Sequence, residues 1–219
     1  MSKTVRRKYG REAREDRRDK KFLLQSNIIT RRRSRTWSTY GWHGDQGKEG
    51  SCVGFGWCHW LHSQPIRQYV DPIGIYKLAQ HLDEWEGTDY DGTSIRAGAK
   101  VLSHLGAIQQ YRWTWDAKVI ANHVLIKGPV VIGVKWYNDM NKPDSKGLMS
   151  VSGKLLGGHC VLIMGYNGAK KLFKIKNSYG TGWGNRGYAY ISFDDLQRLL
   201  HDGGEACVGI ESKMKPKSR

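Results

Sequence analysis

Apolar residues recur at helical spacing through the first half of this chain and in short alternating runs through the second. Cys52 to about His62 is apolar or aromatic over most of its length, with no proline before Pro65, and predicts a buried helix. Pro72 to Trp85 and Ser94 to Leu105 continue in helical period, the latter ended by Gly106. From Trp113 the pattern changes. One more helix, Asp116 to Lys127, stops at Gly128-Pro129, and apolar runs at Val130–Trp136, His159–Tyr166, Leu172–Lys176 and Gly187–Phe193 predict strands. The expectation is an α+β chain in two lobes, helical over 37–112 and β-rich over 113–219, behind a basic arm at 1–36.

Composition and charge sharpen this division. The 219 residues are 39% hydrophobic with nine Trp and eleven Tyr, enough to bury a sizeable core. Of the net charge of +16, the first 35 residues hold +10, from fourteen Lys or Arg against four acids. Such an arm is an electrostatic footprint for nucleic acid or another polyanion, although it contains no recognisable base-reading fold. The N-terminus lacks the apolar stretch of a secretory signal, and no run approaches the roughly 18 apolar residues of a membrane span. Four cysteines without an evident pairing pattern suggest reduced thiols. A cytoplasmic or particle-associated protein is therefore expected.

Three stretches carry candidate chemistry. Gln46 precedes Cys52 by six residues, and Cys52 opens the first helix, where aligned peptide dipoles favour a thiolate. Gly158-His159 begins an apolar strand, and Lys176-Asn177-Ser178-Tyr179-Gly180-Thr181-Gly182-Trp183-Gly184 follows downstream. Taken singly, a buried cysteine or histidine is usually structural. Taken together, Gln, Cys, His and Asn form a nucleophile, a base, an orienting amide and an oxyanion donor. Two weaker patterns are set aside. Cys58 and His62 stand one helical turn apart, but no second cluster completes a zinc site. Residues 182–187 match a dinucleotide fingerprint, but a strand follows where a helix is required. No metal or organic cofactor is expected.

The order and local contexts of these four residues, over about Trp37 to Ile210, resemble the papain-like cysteine peptidases, with prokaryotic or phage members the nearest in character. The resemblance implies a two-lobed fold with the active site in the cleft, and peptide or protein substrates cut through a thioester. It makes Cys52 the nucleophile, His159 the base, Asn177 the orienting group, and Gln46 with the Cys52 N–H the oxyanion hole. Trp183 and Tyr179 would shield the His–Asn bond. Asp91-Gly92 is similar to the family segment that pairs with the second residue before the cut, and Gly158 precedes the histidine. The resemblance further implies a pocket for that second residue with Thr93, Gly133 and Gly157 as walls and Lys213 near the floor, tolerant of acidic side chains. Cys207 falls near a family disulfide position. Departures are Val53 after the nucleophile, Glu49 three residues before it, and Tyr179 two residues after Asn177. The short N-terminus implies control by an arm that binds a polyanion or lies across the groove. A transpeptidase, or a structural nucleic-acid-associated particle component with an idle peptidase fold, are the alternatives.

Overall fold

The computed structural model describes residues 7–13, 16–24, 33–40 and 42–211. Helix α1, Cys52–His62, is buried along its whole length, which explains why it lacks a polar face. It runs against the sheet closely enough that a Cβ on Gly56 would stand 2.6 Å from the Cys160 sulfur. Glycine in a helix interior costs about 0.5–1 kcal/mol relative to alanine, and here that cost accompanies a close approach no other residue permits. Helix α2, Pro72–Gln80, begins with proline behind an Asp71 cap, and α3, Ile95–His104, is capped by Ser94.

The expected helix to Trp85 stops at Gln80. Asp83 takes hydrogen bonds from Tyr90 Oη and Thr93 Oγ1, each at 2.6 Å, and Gln80 Nε2 donates to the Tyr90 carbonyl at 2.8 Å. These side chains organise a loop that delivers Gly92 and Thr93 to the cleft. Strand β2, Ile108–Thr114, follows, then α4, Ala117–Ile126, and strands β3, Val130–Tyr137, β4, Leu155–Asn167, β5, Leu172–Lys176, and β6, Tyr188–Ser192. Helix α5, Phe193–His201, and strand β7, Glu205–Glu211, complete the described body.

Among the described residues the sheet has seven strands, ordered β2-β7-β3-β4-β5-β6, with β1, Ser34–Thr36, paired to β4. All its named strand pairs are antiparallel. Alternation along the strands separates two cores. Val131, Cys160, Leu162 and Cys207 join α1, α2 and α3 on one side. Ile132, Val161 and Ile163 join α4 and α5 on the other. The α+β expectation therefore holds, with α4 and α5 adding helices to the β-rich half. None of the described helices is long and apolar enough to cross a membrane. All four cysteines are free and buried, Cys207 included.

Candidate active site

Cys52 sits at the first position of α1, behind Ser51, and is fully buried. His159 projects from β4 at a position also fully buried. Its Nε2 lies 2.8 Å from Asn177 Oδ1, which also accepts the Ser178 backbone N–H at 2.7 Å. An oxygen already accepting from a backbone amide needs a donor from the ring, so Nε2 carries hydrogen. The lone pair is then on Nδ1, which is buried with no hydrogen-bond partner. That is the nitrogen available to take a proton from a thiol.

Aromatic rings hold this imidazole in place. Tyr179 stacks on it at 4.8 Å, and Trp136 meets it edge-on at 4.6 Å. Trp183 packs at right angles to Tyr179 and against Trp136, one ring removed from the histidine. Tyr179 thus stands directly over the ring, and Trp136, from β3, supplies a second wall that no local motif disclosed. Gln46 is fixed as firmly. Its backbone N–H donates to the Ser178 carbonyl at 2.9 Å and its Oε1 accepts Ser178 Oγ at 2.5 Å. With the carbonyl end held, Nε2 is the free donor, and it reaches the carbonyls of Glu49 at 2.8 Å and Lys8 at 3.2 Å.

Lys8 belongs to the arm, and residues 7–13 thread through this site. The Gly10 N–H faces the Cys52 sulfur, as do those of Cys160 and Val53. Tyr9 lies edge-on to His159 at 6.0 Å and is anchored through its hydroxyl by Asn141 at 3.2 Å. Arg7 stacks over the Tyr179 ring at 4.2 Å and pairs with Asp45 at 2.6 Å. Lys8 pairs with Asp91. Gly10 passes where any side chain is excluded, since a Cβ there would lie 1.7 Å from the Gly50 carbonyl oxygen. Farther along, Asp16 and Asp19 both pair with Arg96 of α3.

The arm seats as an added strand. Thr93 N–H donates to the Gly10 carbonyl at 2.8 Å, and the Glu12 N–H donates to the Thr93 carbonyl at 3.0 Å. Arg11 N–H donates to Gly158 at 3.0 Å from the other side. Against the arm the pairing residue is therefore Thr93, one place beyond the expected Gly92, whose own N–H is taken by Tyr76 Oη at 3.1 Å. Gly157 lies under Tyr9, where a Cβ would approach the tyrosine Cβ to 2.8 Å. Gly133 lies under the Arg11 side chain. Lys213 lies outside the described residues. Among the described residues, Glu205 at the start of β7 is the charged group that meets the Arg11 side chain.

Burial sets the protonation of the covered site. It pushes the Cys52 thiol up to about 11 and drives the His159 imidazole down to about 4, overriding the Asn177 hydrogen bond that favours its charged form. Helix position alone would favour a thiolate, but in this enclosed site burial holds both groups neutral. Among the described residues no cluster of three or more His, Cys, Asp or Glu could hold a metal. The Cys58 thiol instead faces the Val70 carbonyl at 3.0 Å.

Comparison with known proteins fits this geometry. The family model for papain family cysteine proteases matches residues 76–207, including His159 and Asn177, and the chain belongs to that family. Gln46 and Cys52 precede the matched span and rest on the geometry above. Gamete and mating-type specific protein A of Dictyostelium discoideum is 39% identical over 83 residues, which are 37% of this chain and 18% of that protein. An uncharacterized peptidase C1-like protein of Acanthamoeba polyphaga mimivirus is 24% identical over 193 residues, 66% of this chain and 62% of the relative. The chain thus spans less than two thirds of the length of these curated relatives. Among solved structures, xylellain, a cysteine protease from Xylella fastidiosa, shares the fold with a TM-score of 0.78 at 20% identity, covering 95% of this chain and 98% of its own. Digestive procathepsin L 3 of the Tenebrio molitor larval midgut gives 0.67 at 17% identity, covering 94% and 76%.

Proposed function

We propose that this chain is a cysteine endopeptidase whose cleft is filled by its own residues 7–13. The observation that carries the reading is a peptide main chain already lying in it, with a carbonyl on the Gln46 amide and an N–H on the Cys52 sulfur. A substrate in that path would present its scissile carbonyl to Cys52. His159 Nδ1 takes the thiol proton, sulfur attacks the carbonyl carbon, and the oxyanion is held by Gln46 Nε2 and the Cys52 N–H. The protonated imidazole then gives its proton to the departing amine as the C–N bond breaks, leaving a thioester. Water, activated by the same nitrogen, attacks the thioester and restores the thiol. Asn177 keeps the ring oriented throughout, as the third member of such triads does.

Four unpaired thiols suit a reducing compartment. The test is intact-mass labelling with an epoxysuccinyl peptide at mildly acidic and neutral pH. One adduct is expected on the native chain and none on Cys52→Ala, with peptide hydrolysis lost in the same variant by about 1,000-fold or more. An adduct that survives the substitution would show that another residue is the nucleophile.

A further inference from the structure

The Arg11 side chain is the deepest part of the docked arm. It is 4% exposed, and the Glu205 side chain that receives it is 14% exposed. Arg11 Nη2 donates to Glu205 Oε1 at 2.9 Å and to the Gly203 carbonyl at 3.1 Å, while Nε donates to the same Glu205 oxygen at 3.3 Å. The side chain passes over Gly133, where a Cβ would lie 2.6 Å from both Arg11 Nε and Ile95 Cδ1. The pocket therefore has an apolar wall, a bare glycine that leaves room for a long stem, and a carboxylate with a carbonyl at its end. That combination matches a cationic side chain with an aliphatic stem.

We infer that Glu205 makes this pocket select Arg or Lys at the second residue before the cut. The pocket receives the residue whose main chain is straddled by Thr93 and Gly158, adjacent to the residue against the Cys52 sulfur. Side chains stand perpendicular to an extended backbone whichever way the chain runs, so a substrate residue paired there projects into the same space. Once the arm leaves, Glu205 loses its guanidinium. The vacated carboxylate then attracts a basic substrate side chain and repels an acidic one. An uncharged side chain leaves the charge unmet. The selectivity thus comes from Glu205, with the glycine and isoleucine supplying only shape.

The experiment uses the full chain carrying Arg11→Ala, which empties the pocket, and peptides identical except for the second residue before the cut. Arg and Lys peptides should exceed the Leu peptide at least tenfold in kcat/KM and the Glu peptide at least a hundredfold. Adding Glu205→Gln should reduce the Arg-to-Leu ratio to near one, and Glu205→Lys should invert the Arg-to-Glu ratio. A preference for Leu or Phe that Glu205→Gln leaves unchanged would overturn the inference. The selectivity rests on the peptidase reading only for this catalytic readout, so the two fail separately. Should no peptide be cut, that reading fails, and equilibrium binding of the same peptides to Cys52→Ala/Arg11→Ala decides the pocket. Tighter binding of the Arg peptide, abolished by Glu205→Gln, supports the inference, and equal affinities overturn it.

Discussion

The two ends of the segment at 7–13 are held by ion pairs of opposite character. At the front, Lys8 meets Asp91 with both side chains about half exposed, 54% and 47%, and Arg7 meets Asp45, itself 49% exposed. At the rear, Arg11 and Glu205 are nearly closed off from water. Exposed pairs contribute about 0–1 kcal/mol, because water screens them and two mobile side chains must be ordered. The enclosed pair at the rear is screened far less while the segment is docked. The arm's charge therefore acts unevenly along its length. The front steers and covers, while the rear, with the backbone pairing at Thr93 and Gly158, determines whether the segment stays.

The largest effect should come from the residue between these ends. Gly10→Ala places a methyl on the Gly50 carbonyl, a backbone atom that cannot move aside, and should release residues 7–13 altogether. Cys52 labelling by a small epoxide should then rise at least about 100-fold, the equivalent of about 3 kcal/mol of docking. Arg11→Ala should follow. Losing charge-assisted hydrogen bonds of about 1.5–3 kcal/mol should speed labelling roughly 10- to 100-fold.

Acid should act in the same direction more gradually. Burial holds His159 near 4, below its ordinary 6.5, and the docked Arg7 guanidinium lowers it further, so the docked state binds fewer protons and weakens as pH falls from 6.5 towards 4. Protease susceptibility of the arm should therefore rise as pH falls from about 6.5 towards 4. The smallest change belongs to Lys8→Ala, less than about fivefold in labelling rate. A Lys8→Ala effect as large as that of Arg11→Ala would erase the distinction between the two ends.

Much of this was legible in the sequence, for identifiable reasons. Cys52, His159, Asn177 and Gln46 are polar or reactive residues in glycine-rich and apolar surroundings, and each reaches its place on a locally encoded element. Helix α1 matches its expected bounds, because a run of apolar residues between Ser51 and Pro65 leaves little choice. By contrast β2 and α5 went unread. The Ile108–Thr114 run carries two exposed glutamines and a half-buried Arg112 and is a strand only because β7 pairs with it. Trp136, Ser178 and Glu205 act through contacts across strands that no local spacing reveals. The arm left two readings open in the sequence, a polyanion footprint and a segment lying across the groove. A basic run reads as an exposed polyanion footprint, yet Arg7, Lys8 and Arg11 are bound by carboxylates of the body itself. Gly10 gave no signal of its own, since its role comes from meeting Gly50 and Gly92.

The most direct test is the rate at which an epoxysuccinyl peptide labels Cys52 in the native chain and in Gly10→Ala, compared by intact mass at neutral pH. A cleft filled by residues 7–13 over a competent nucleophile predicts slow labelling of the native chain and labelling at least about 100-fold faster in the variant, with the adduct on Cys52 in both. Equal rates in the two proteins would contradict it.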